Sequence, residues 1–274
     1  MHMLRTRAKL ACAASLIALV AHAQPRTATT MSAPHTVLEL RQYTLYPGKR
    51  DVLIDIFERN FVEGQEARGM WIIGQFRDLD DPDRFVWLRS FADMSARATA
   101  LNGFYLGPVW HSHREAANST MVDSDNVLLL RPARAGTGFP LVTDTLPPRD
   151  AQGAGKGLVV ASIVYLRSTT PGQFVDFFEK ELKPEWEKAG APVVAELATE
   201  TSANNFPQLP VREGERVFIW FTTFKDPAAY DKQRRALTAS PEWRVISGKL
   251  SLWTHQPIEI LRLQPTARSR LHGG

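Results

Sequence analysis

Between residues 37 and 132 the hydrophobic pattern changes period four times. Val37 to Leu45 alternates as a strand, Pro47-Gly48 turns the chain, and Leu53, Phe57, Phe61 and Gly64 recur at helical spacing until Gly69 caps the end. Two β-rich runs, "WIIGQFR" from 71 and "RFVWLRSF" from 84, flank the hairpin signal "DLDDPD". Asp93 can cap a helix reaching about 104, Pro108 opens a second short helix, and Val127 to Leu130 ends the unit as a strand. The same order returns at 158 to 167, 171 to 189, 192 to 198, 216 to 224, 226 to 250 and 258 to 263.

The recurrence extends to single residues. At an offset of 133, Phe85 falls on Phe218, Trp87 on Trp220, Asp93 on Asp226, Pro108 on Pro241, Trp110 on Trp243 and Leu128 on Leu261. Upstream the offset shrinks to 124 at Pro47-Gly48 and 121 at Gly69, so the second copy carries an insertion, the polar "TETSANNFPQLPVREGE". The chain therefore reads as a tandem duplication. A Gly- and Pro-rich linker over 133–156 joins a domain at 37–132 to one at 157–265, and 266–274 is a tail.

A βαββαβ unit is the ferredoxin-like pattern, a four-stranded antiparallel sheet with its helices on one face. In the third strand Phe85, Trp87, Arg89 and Phe91 share a face that must be covered. The predicted architecture is α+β, with two ferredoxin-like units packed sheet to sheet as a pseudo-symmetric α/β barrel and that aromatic face turned into the barrel.

The runs "VLELRQYTLYPGKRDVLIDIF", "GMWIIGQF", "PDRFVWLRSFADMSAR" and "GPVW" resemble the NIPSNAP domain, well over 37 to 132 and more weakly over 158 to 265, where ELRxY is missing. The resemblance implies the dimeric α/β-barrel superfamily, whose paired units enclose a cavity. Its members include cofactor-independent monooxygenases, haem-binding proteins and many of no assigned activity. The fold does not choose among them.

Glu39, Arg41 and Tyr43 alternate onto one face of the first strand, and Trp87 and Arg89 lie on the aromatic face of the third. If those faces coincide, the guanidiniums can bind an anionic group while Trp87 and Trp220 supply apolar walls. The competing reading is structural: Glu39 pairs with an Arg and the aromatics fill the barrel. His111 and His113 sit two apart on a predicted helix, pointing about 200° apart, so they cannot jointly grip a metal. One alone, His111 first, has the chemistry of an axial haem ligand. No motif names a catalytic residue, a metal set or a cofactor.

With 44% hydrophobic and 23% charged residues the chain is globular. Its formal charge of +4 includes Arg5, Arg7 and Lys9 at the start, where "MHMLRTRAKLACAASLIALVAHA" reads as an export signal cleaved after Ala23. The apolar run Leu10 to Val20 is shorter than the ~17 to 25 residues of a spanning helix. The mature chain, with a flexible start at 24–36, loses Cys12 and is nearly neutral, which leaves no footprint for nucleic acid. Met31 is an alternative start. The expectation is a periplasmic or secreted barrel that binds a small, partly apolar or anionic molecule in the barrel cavity. A cofactor-independent monooxygenase or haem enzyme and an interaction module with a filled barrel are the alternatives, and a homo-oligomer is compatible with all three.

Overall fold

The computed structural model describes residues 34–141, 145–167 and 171–274. The export signal over 1–23 and the start at Met31 lie outside the described residues. Each half begins with a strand, β1 (Val37–Leu45) or β5 (Leu158–Tyr165). A helix follows, α1 (Arg50–Ile56) continuing into α2 (Val62–Glu66), or α5 (Pro171–Phe177) continuing into α6 (Lys183–Lys188). In both halves one π-helical turn separates the two pieces, at Phe57–Phe61 and Phe178–Leu182, at the 121-residue offset of Gly69 and Gly190. Those two glycines, at φ of +87° and +98°, stand where only a residue without Cβ is unstrained. Next come β2 (Trp71–Asp78) and β3 (Arg84–Phe91), or β6 (Val193–Thr199) and β7 (Val217–Phe224).

The second helical layer is α3 (Met94–Tyr105) and α4 (Pro108–Asn118), matched by α7 (Pro227–Ala239) and α8 (Pro241–Trp253). Where the periodicity suggested one helix over 226 to 250, Ser240 and Pro241 break it in two, as Pro108 does in the first half. Asp93 and Asp226 cap α3 and α7, each accepting a bond from the backbone three residues on. The halves end in β4 (Met121–Pro132) and β8 (Glu259–Pro265).

The eight strands close into a barrel in the order β1-β3-β2-β8-β5-β7-β6-β4, every pairing antiparallel. The halves meet at two short seams, β2 with β8 and β4 with β6. The α+β barrel of two ferredoxin-like units is thus the observed architecture.

One expectation is reversed. The interior of the barrel is filled by Leu38, Leu40, Val86, Leu88, Val159, Ile163, Leu197, Ile219, Leu263 and their neighbours. The face carrying Phe85, Trp87 and Phe91 turns outward, beneath the helices, against Leu53, Phe57, Phe61 and Phe104. Size explains the choice. Eight strands enclose a space that side chains just fill, here branched aliphatics with the smaller rings of Phe76, Tyr165 and Phe221, while the indoles of Trp87 and Trp220 fit between sheet and helix. Trp220 obeys the same rule in the other half, buried against Phe178, Trp186 and Phe218.

Candidate functional site

The register of β1 on β3 sets Glu39 opposite Arg89, Arg41 opposite Trp87 and Tyr43 opposite Phe85. All of these side chains point to the helix side of the sheet, so five of the seven residues singled out in the sequence come together. The Glu39 carboxylate is fully buried and accepts from three guanidiniums, Arg41 Nη1 at 2.8 Å, Arg89 Nε at 2.7 Å and Arg97 Nε at 2.8 Å. Arg41 Nε donates to the Tyr43 hydroxyl at 2.9 Å, and Arg89 Nη1 donates to Gln65 Oε1 at 2.8 Å. The guanidiniums of Arg41 and Arg89 lie over the Trp87 ring at 5.6 and 4.9 Å.

Three buried cations thus face one carboxylate, a surplus of two positive charges at the floor of the first half. Arg41 Nη2 and Trp87 Nε1 are buried with no hydrogen-bond partner among the described residues. Burial pushes the Glu39 carboxyl up, but the guanidiniums, Arg89 foremost, outweigh it and hold its pKa well below the usual carboxylate range. Burial raises the Tyr43 phenol, against the pull of Arg41, so it stays protonated. Its oxygen accepts from Arg41, which leaves the hydroxyl proton available as a polarised donor.

The low pKa of Glu39 carries a sign. An unfolded glutamate titrates near pH 4.3, and folded Glu39 far below it, so its contribution to stability is complete above about pH 4.3 and drains away as pH falls toward the folded value. Urea unfolding at pH 6 and pH 3 should show a steeper loss for the wild type than for Glu39→Gln. Equal slopes would remove Glu39 as the acid-sensitive group.

Beside this cluster lies a pocket of about 250 Å³ between sheet and helices. Tyr43 and Trp87 line it from the strands, Phe57, Phe61 and Gln65 from the first helix, Phe104, Tyr105, Trp110 and Ala117 from α3 and α4, and Met121 and Ser124 from β4. Gln208 and Leu209 complete it from the insertion of the second half. None of the lining side chains is a carboxylate, an imidazole or an amine.

The barrel interior is therefore not the cavity, and two expected residues stay away from the site. Trp220 is buried in the core of the second half, and His111 is exposed on α4. Its neighbour His113 sits half-buried with its ring 6.2 Å from that of Phe61. Among the described residues no group of three or more His, Cys, Asp or Glu side chains is placed to hold a metal ion. No helix there is long and apolar enough to cross a membrane.

Arg97, Gln65, Tyr105 and the 204–209 segment were not legible as site residues. Arg97 did leave a trace, a charge on the buried stripe Arg97, Ala100, Leu101, Phe104 of α3. The loop left none, because its side chains follow no period.

Comparison with known proteins agrees with this architecture. The NIPSNAP family model matches residues 38–135. Over the whole barrel the chain is similar to a candidate monooxygenase from Lactobacillus acidophilus, with 14% identity, 86% of this chain and 97% of that one covered, and a TM-score of 0.52. It is similar also to an anthrone oxidase-like protein, with 13% identity, 89% and 98% covered, and a TM-score of 0.54. A NIPSNAP family protein of unknown function from Agrobacterium tumefaciens aligns with 39% of this chain and 95% of its own, at 22% identity and a TM-score of 0.35. No curated protein matches. At such identities the whole-barrel likenesses speak to fold alone.

Proposed function

Given that residues 38–135 are a NIPSNAP domain, we propose that this protein is an exported binder of a compact, flat organic anion, held in the first half between sheet and helices. The carrying observation is the pairing of an aromatic-walled pocket of about 250 Å³ with the Tyr43 hydroxyl, itself backed by Arg41 in a cluster with surplus positive charge. An apolar cavity of about 150 Å³ is known to hold benzene, so this one has room for one or two rings and a polar substituent. Tyr43 donates to the ligand oxygen, and the buried guanidiniums favour that oxygen as an anion.

2-Naphthoate is a suitable probe, followed by quenching of tryptophan fluorescence. It should bind saturably, and Tyr43→Phe should weaken it by about 1.5 to 3 kcal/mol, the worth of a hydrogen bond to a charged group. Unchanged affinity in Tyr43→Phe, or no binding to the wild type, would count against the pocket.

A second reading, a cofactor-independent oxygenase, draws support from the same cluster, since stabilising a carbanion prepares a substrate for dioxygen. The balanced reaction would turn a CH₂ group and O₂ into C=O and water. It ranks lower because no lining side chain is suited to take the first proton, and only a strongly acidic substrate would escape that need. Oxygen uptake with anthrone above the uncatalysed rate would promote it. A haem role for His111 has no support from its exposed position on α4; the filled barrel is what the interaction-module reading expects, and the pocket beneath the helices is what favours a binder over it.

Export rests on the sequence pattern of residues 1–23. Protein recovered from the native host should begin at Gln24 by N-terminal sequencing, and an intact Met1 or Met31 would remove the claim.

A further inference from the structure

The pocket of the first half borrows part of its wall from the second. The insertion joins β6 to β7, where the first half has only the short turn between β2 and β3. Asn204 and Asn205 both accept from Arg97 Nη1, at 3.0 and 2.7 Å, and the Asn205 amide donates to the Met94 carbonyl at the start of α3. Asn204 also ties the segment to itself, its amide donating to the Leu209 carbonyl at 2.9 Å and its side-chain oxygen accepting from the Phe206 backbone at 3.1 Å. Phe206 is buried with its ring 5.8 Å from that of Tyr105, which brings Gln208 and Leu209 to the pocket wall. Since Arg97 also holds Glu39, one guanidinium connects the polar floor to this roof.

The second half shows why the loan runs one way. Its strands put Ser162 opposite Trp220, where the first half has Arg41 opposite Trp87, and Val160 opposite Thr222, where the first half has Glu39 opposite Arg89. Trp186 stands at the offset position of Gln65 and packs on Trp220 at 5.2 Å. That half buries apolar bulk where the first keeps charge and space, and its distinctive contribution is the loop.

We propose that Leu209 and Gln208 of the second half set which ligands the first half accepts, Leu209 by limiting length and Gln208 by offering a second polar contact, with Arg97 positioning both through Asn204 and Asn205. The proposal rests on the pocket being the binding site. Strands and helices fix the other walls as part of the core, whereas a surface connection can change without disturbing the barrel.

The test uses the full mature chain and three fluorescent or quenching carboxylates, benzoate, 2-naphthoate and anthracene-2-carboxylate. Wild type should favour the two-ring acid over the three-ring one. Leu209→Ala should move that ratio about tenfold or more toward the three-ring acid, the scale on which an apolar wall discriminates. Gln208→Ala serves as an independent variant should Leu209→Ala fold poorly, and should change the ranking of the three acids. Asn205→Ala, which removes one of the loop's two bonds to Arg97 and its bond to the Met94 carbonyl while leaving the lining residues unchanged, should move the ratio in the direction of Leu209→Ala, a shift that lost stability alone does not produce. Unchanged ratios in all three variants, with Tyr43→Phe still weakening every probe, overturn this inference and leave the pocket standing. No binding of any probe to the wild type overturns both.

Discussion

Replacing Glu39 by Ala should destabilise the protein by about 3 to 5 kcal/mol, the cost of stranding buried charges whose partner is removed. The magnitude follows from the arrangement. Arg41, Arg89 and Arg97 are all fully buried, and Glu39 is the carboxylate that each of them contacts. Its removal would leave three guanidiniums facing one another with Gln65, Tyr43, Asn204 and Asn205 as neutral partners. Chemical denaturation of the two chains at pH 7 reads the difference directly. Arg41→Met should cost much less, because it lowers the surplus of positive charge while leaving Glu39 two partners. A loss below about 1 kcal/mol for Glu39→Ala would mean that the cluster does not hold the first half together as its geometry implies.

Ala117→Leu should separate binding from folding. Ala117 lines the pocket, and the position 133 residues on is Leu250, buried in the core of the second half. The substitution therefore copies into the first half what the second already accommodates. Filling the pocket should reduce 2-naphthoate affinity at least about tenfold, while the added burial raises stability by about 0.5 to 2 kcal/mol. Titration and denaturation of the same preparation give both numbers. Intact binding together with lost stability would show that the added methyl groups meet packed side chains, which would remove Ala117 from the site.

Much of this was legible in the chain before any coordinates. A strand's alternation names the residues that share a face, and this placed Glu39, Arg41 and Tyr43 together and Trp87 with Arg89, while the register of β1 on β3 set the two groups side by side. The repeated Trp, Asp and Pro spacings announced two copies of one unit, because caps and turns depend on local chemistry that a duplicated sequence retains. Arg97 was missed, although it shares the buried stripe of α3 with Ala100, Leu101 and Phe104. Local pattern reaches no further than the neighbours along an element.

Alternation says that two faces exist, and nothing in it says what each face meets. Strands such as β3 carry large side chains on both faces, so the choice between barrel interior and helix layer rested on the space available. Closure of eight strands decided it, sending Leu and Val inward and Trp87 and Trp220 outward. The same closure brought Asn204, Asn205 and Leu209 to a site more than 100 residues earlier in the chain. The repeating unit, the residues sharing each strand face and the charges of Glu39, Arg41 and Arg89 follow from local pattern. That the pocket lies under the helices and that the second half supplies part of its wall follows from packing between distant segments, which carries no periodic signature.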